Sequence, residues 1–254
     1  MTLNHRNRLM FSIPAPPIFQ DSFETYDQEI IQSMKAKEDR YYSFRCLKCQ
    51  LFITVFHREA LILFMIHLSQ RLNIKHETIF MAVNYLDRFL NTVTVAEDCF
   101  RLVGLTCLML ACKIEECHPP SMEQFLATST CYPSKELVKR LEVYILNYID
   151  FQLLPPIAPH FLEHLVRYYR RYYHQFNDQT YIEIRSIAHQ LLLTMLPIYR
   201  FSFIKPSILA ASAFEYAKII CGFTPSVYYY PCQDRTICAT IADTIDNIRN
   251  FFEN

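Results

Sequence analysis

The chain has 254 residues, 52% of them hydrophobic, which is enough for one large domain or two of ordinary size with real cores. Lys and Arg balance Asp and Glu at 25 each, so no net field steers the protein onto nucleic acid or anionic lipid, and a protein partner is expected instead. Only two glycines occur, Gly104 and Gly222, which excludes the glycine-rich phosphate loops of dinucleotide and P-loop enzymes.

In chain order, residues 1–20 carry Pro14, Pro16 and Pro17 among polar groups and read as a flexible leader. Residues 21–45 form a helix and linker: Phe23, Tyr26, Ile30, Ile31 and Met34 fall on helical spacing up to about Lys37. A bundle of five helices is expected over 46–154. The first runs from His57 to Leu72 and the second from His76 to Leu90. Thr94 with Glu97 reads as a capping box for the third, and Ser121 with Gln124 for the fourth; Ser134 caps the fifth, which ends near Asp150. The third is apolar on nearly every face from Leu102 to Cys112, as an enclosed helix must be, then stops at Lys113-Ile114-Glu115-Glu116 ahead of Pro119-Pro120. A buried helix thus delivers a charged end to the surface. The fifth helix carries Glu142 inside the apolar run 141–146, and charges at the edge of apolar surface need partners.

Pro155, Pro156 and Pro159 mark a linker, and the helical pattern restarts over 155–254, with helices at 160–173, 178–196, 206–221 and 234–252. The third repeats the small-residue character of 102–112, as a tandem duplication of one five-helix unit would. Tyr168-Tyr169-Arg170-Arg171-Tyr172-Tyr173 mixes aromatic and basic residues as a nucleic-acid surface does, but one such turn is more often a half-buried face with snorkelling arginines. No run is long enough to span a membrane, and the first ten residues hold no apolar core segment. Of the ten cysteines, Cys107, Cys112, Cys221 and Cys238 sit in helical apolar patterns, where a reduced thiol acts as a small hydrophobe. Cys46 and Cys49 are half of a zinc motif, and His57 and His67 stand too far apart to complete it, so no metal or cofactor is expected. The compartment reads as nucleus and cytoplasm.

The motifs Ala82-Val83-Asn84-Tyr85-Leu86-Asp87-Arg88-Phe89-Leu90, Leu102-Val103-Gly104, Ala111-Cys112-Lys113-Ile114-Glu115-Glu116 and His118-Pro119-Pro120 resemble a cyclin box in order and spacing over more than a hundred residues. Within the family, residues 95–100, 111–113 and 118–120 are most similar to the cyclin O branch, and the helix pattern also fits the A and B types. The resemblance implies an all-α fold of two tandem five-helix cyclin-box bundles preceded by an N-terminal helix that either meets the partner or caps the core. It implies a non-catalytic subunit that binds a cyclin-dependent protein kinase and activates it in cell-cycle control. By this resemblance the kinase-binding residues are Lys113, Glu142, Ile114, Glu115 and Phe151. Arg6-Asn7-Arg8-Leu9 fits the minimal degradation signal of mitotic cyclins, but two fixed residues recur by chance.

The resemblance also places a patch for substrate docking peptides at Arg58, Leu61, Phe64 and Arg101. That patch is degenerate here: His57 replaces a methionine, Ala60 an isoleucine, His67 an acid, and Arg101 a glutamine. Losing an acid and gaining a cation weakens attraction for arginine-bearing peptides. The competing reading is a cyclin-fold scaffold or transcription-factor-like protein that activates no kinase, and the neutral charge counts against its DNA-binding form. No nucleophile, base and orienting group can be assembled for an enzyme.

Overall fold

In the computed structural model, residues 22–42, 46–128, 134–172, 177–224 and 235–253 are described. The leader 1–20 with its Arg6-Asn7-Arg8-Leu9 pattern, and Tyr173, lie outside them. The described residues are helical throughout, without strands: α1 Ser22–Tyr41, α2 Val55–Arg71, α3 His76–Leu90, α4 Glu97–Glu115, α5 Met122–Thr128, α6 Lys135–Tyr148, α7 Ala158–Tyr172, α8 Asp178–Met195, α9 Pro206–Ile220 and α10 Arg235–Glu253, with a 3-10 turn at Tyr199–Phe203.

Local chemistry explains most boundaries. Ser134 Oγ accepts from Leu137 N at 3.2 Å, and Ser121 and Gln124 bond reciprocally, so both expected caps form. α2 begins two residues earlier than expected because Thr54 and His57 make a capping box of their own. The box expected at Thr94 and Glu97 does not form; Ala96 holds that cap position without a side-chain bond. Thr94 Oγ1 donates instead to the Cys49 carbonyl at 3.0 Å, and Gln50 bonds Leu90 O, Val93 O and Val95 N. The 46–50 turn therefore holds the α3–α4 loop, and a tertiary partner displaces the local cap.

α4 lies at the centre of the first half, against α2, α3, α5 and α6. Gly104 is what lets α2 approach: a Cβ there would stand 2.7 Å from a Leu61 methyl. α9 holds the same place in the second half, against α7, α8 and α10, with Ala210, Ala211 and Ala213 buried. It closes in a Schellman turn, Gly222 at φ +83° with its N–H on Ile219 O and Phe223 N–H on Lys218 O.

The two halves meet through buried polar groups. Arg58, 1% exposed, donates Nε and Nη2 to both Asp87 oxygens at 2.8 and 2.7 Å, and Nη1 to the Pro197 carbonyl at 3.0 Å. Glu59 accepts from Tyr199 N, while Glu38 accepts from Ser207 N and Oγ at the start of α9. This bond is why α1 runs past Lys37 to Tyr41. Removing one partner of such a buried pair strands the other charge, so Arg58→Ala should lose roughly 3–5 kcal/mol in urea unfolding, and Arg58→Met/Asp87→Leu should recover most of that loss.

Candidate partner-binding edge of the first bundle

Where α4 and α6 pack side by side, Lys113 Nζ forms an ion pair with Glu142 Oε1. The Lys113 side chain is 48% exposed and that of Glu142 17%, so the carboxylate is sunk in the edge and the ammonium stands outward. An ammonium has three donors and Glu142 takes one, leaving a positioned cation able to donate further. The two reach each other because α4 runs without interruption from the core to its charged end.

The neighbouring acids divide their work. Glu116 turns inward: Oε1 accepts from Lys75 N at 2.9 Å and Thr78 Oγ1 at 2.5 Å, which caps the start of α3 with a negative charge. Glu115 stays partly exposed, its carbonyl accepting from Lys75 Nζ at 3.2 Å. Ile114 is exposed.

Phe151 closes α6 in an unusual way. Asp150 and Phe151 have φ +55° and +53°, the left-handed region that side chains disfavour. Asp150 N–H bonds Asn147 O and Phe151 N–H bonds Leu146 O, a Schellman turn without glycine. Arg88 of α3 braces it with bonds to Ile149 O and Gln152 O at 2.6 and 2.7 Å, and Tyr85 OH donates to Leu153 O. The braced turn leaves Phe151 61% exposed. Sequence reading missed other exposed apolar residues along α6 and just after it: Leu137, Val143, Tyr144, Tyr148 and Leu154, with the Tyr144 and Tyr148 rings 4.7 Å apart and packed on Phe89 of α3. The signal was there, since α6 carries more apolar positions than one buried stripe needs.

The expected docking residues are only partly brought to a surface. Arg58 and Leu61, expected in that patch, are buried: Arg58 bonds Asp87 and Pro197, and Leu61 packs on Gly104. Phe64 and Arg101 are half-exposed and stacked, the guanidinium carbon 4.0 Å from the ring centre. In the tyrosine strip, Tyr169 belongs to the core and Arg170 pairs with Asp178 at 2.8 Å.

Cys46 is buried beside Arg58 and Asp87 while Cys49 is exposed, and among the described residues no group of three or more His, Cys, Asp or Glu is placed to hold a metal ion. Burial pushes the Cys46 and Cys107 thiols up and that of Cys112 up to about 12, which keeps them neutral packing groups. Among the described residues no helix is long and apolar enough to cross a membrane.

Two stability outcomes follow from this geometry. Lys113→Ala should change unfolding free energy by less than about 1 kcal/mol, because a half-exposed pair is worth little. Phe151→Gly should raise it by roughly 1 kcal/mol, because glycine adopts the left-handed conformation without strain; unchanged or lower stability in a urea titration would show that the ring packs for the fold rather than for a partner.

Comparison with known proteins agrees with this architecture. The family model described as "Cyclin, N-terminal domain" matches residues 29–154, and that described as "Cyclin, C-terminal domain" matches 156–234. Human cyclin-O is 33% identical over 200 residues, covering 78% of this chain and 57% of the relative. Cyclin-A2 of Gallus gallus is 28% identical over 234 residues, covering 92% and 54%. The chain thus spans little more than half the length of these relatives. The X-ray structure of a viral cyclin from herpesvirus saimiri superposes with a TM-score of 0.72 at 16% identity, over 87% of this chain and 95% of that one. Two tandem all-α bundles built on buried, small-residue helices, matched in turn by the two domain models over 29–154 and 156–234, place this chain in the cyclin family.

Proposed function

We propose that the chain is the regulatory, activating subunit of a cyclin-dependent serine/threonine protein kinase, acting in cell-cycle control in nucleus and cytoplasm. The observation that carries this reading is the Lys113–Glu142 pair standing at the outer edge of α4 and α6, with exposed Ile114 next to Lys113 in the chain. Ile114 beside Lys113, with exposed Phe151 after the end of α6, offers apolar area to bury, and Lys113 gives the edge a directed donor. Such a surface supplies no chemistry. It works by binding the active arrangement of the kinase more tightly than the inactive one, and the difference in affinity is all that can shift the population. Docking peptides for substrates would engage elsewhere, on the α2 and α4 surface around Phe64 and Arg101.

The test is capture of purified cyclin-dependent kinases by the full chain, with histone phosphorylation assayed on what is captured. Capture with activity is expected, and Lys113→Ala/Glu142→Ala should weaken it about tenfold, near 1.4 kcal/mol. Phe151→Gly should weaken capture although it stabilises the fold. Capture without activity would favour a scaffold, and no capture from the whole panel would overturn the kinase reading.

A further inference from the structure

Where the two halves meet, they enclose a cavity of about 100 Å³. Both contribute walls. Phe80 and Val83 come from α3 in the first half, Ile157 just ahead of α7 and Leu209 of α9 from the second, and all four are buried. Arg58 and Asp87 line it too, so the cavity adjoins the ion pair that joins the halves. None of the lining residues belongs to the α4–α6 edge.

The polar groups of this cavity include an acceptor without a donor. Asn84 of α3 is part of the wall, and its carboxamide is held in one orientation, because Nδ2 donates to Tyr41 O at 2.9 Å. Oδ1 is then committed to the other side of the amide, closed to solvent and without a hydrogen-bond partner. A buried acceptor in that position destabilises the fold until something donates to it. Ser202 of the 3-10 turn also lines the cavity, and its Oγ donates to Tyr199 O at 2.7 Å, which leaves it only accepting capacity. Charge is not wanted here. Arg58 and Asp87 neutralise one another, and an ion brought beside them would give up its water for no unpaired counter-charge.

We propose that the cavity binds a small neutral molecule with one N–H or O–H donor on a compact apolar body. The donor meets Asn84 Oδ1, and the body packs against Phe80, Val83, Ile157 and Leu209. Size selects the ligand as well. An apolar cavity of roughly 150 Å³ takes benzene, so this smaller one suits a five-membered ring or a branched alcohol of similar bulk. Because the walls come from both halves, the occupant makes contacts that exist only while the halves are docked, and it stabilises that arrangement by mass action. The proposal holds whether or not the α4–α6 edge binds a kinase.

The experiment titrates the isotope-labelled full chain with pyrrole and with furan, rings of nearly equal size of which only pyrrole carries an N–H donor. Pyrrole should shift the NMR signals of the Asn84 carboxamide and bind about tenfold more tightly than furan. At ten times its dissociation constant it should raise the thermal midpoint by about 4 °C. Leu209→Trp, whose larger side chain fills the cavity, should lose the pyrrole shifts, and Asn84→Leu should erase the difference between the rings. Equal affinity for the two rings, pyrrole shifts that leave Asn84 unmoved, or binding of neither ring, as for a cavity that takes water alone, would overturn the proposal. Where Leu209→Trp fails to fold, the comparison of the two rings on the unaltered chain decides by itself.

Discussion

A single guanidinium inside the protein sets the relation between its parts. Arg58 comes from α2, its carboxylate Asp87 from α3, and its third acceptor is the Pro197 carbonyl just ahead of the 3-10 turn. An ion taken out of water costs several kcal/mol, and only near-complete satisfaction of its donors offsets that. The pair therefore tolerates very few positions of the second half relative to the first. Glu59 and Glu38, bonded to Tyr199 and Ser207, hold the same junction from either side.

The dependence runs outward from there. α2, anchored by Arg58, closes on α4 through the space that Gly104 leaves for Leu61. α4, enclosed, ends at Lys113 against Glu142 of α6. At its far end α6 is finished by two residues in a left-handed conformation, with Arg88 of α3 bonded to that turn. Strain of that kind persists only where surrounding structure over-determines it, and here it leaves Phe151 exposed. A binding surface assembled in advance spends less on ordering when it meets its partner.

What could be read from the residues follows the range of the forces involved. The enclosed helix and its charged stop were legible, because an all-apolar run broken by Lys113 and closed by Pro119-Pro120 has one physical meaning. The caps at Ser121 and Ser134 were legible because capping is local. Thr94 misled for the opposite reason: its partner is the Cys49 carbonyl, 45 residues away. Arg58 entered the docking patch on resemblance alone, and its partners lie 29 and 139 residues off, beyond any local pattern. Phe151 was marked by resemblance, while its left-handed backbone emerges only in the structure; α6 carries more apolar positions than one buried stripe needs, and burial shows which of them the core leaves unused.

The claim at the centre of this account is that the outward face of α4 and α6 is where the partner binds. Hydroxyl-radical footprinting of the full chain, with and without a captured cyclin-dependent kinase, reads it directly through the reactivity of exposed aromatic side chains. The account predicts protection of Phe151, with Phe251 and Phe252 at the end of α10 unchanged. Protection of the α10 aromatics with Phe151 still reactive would contradict it.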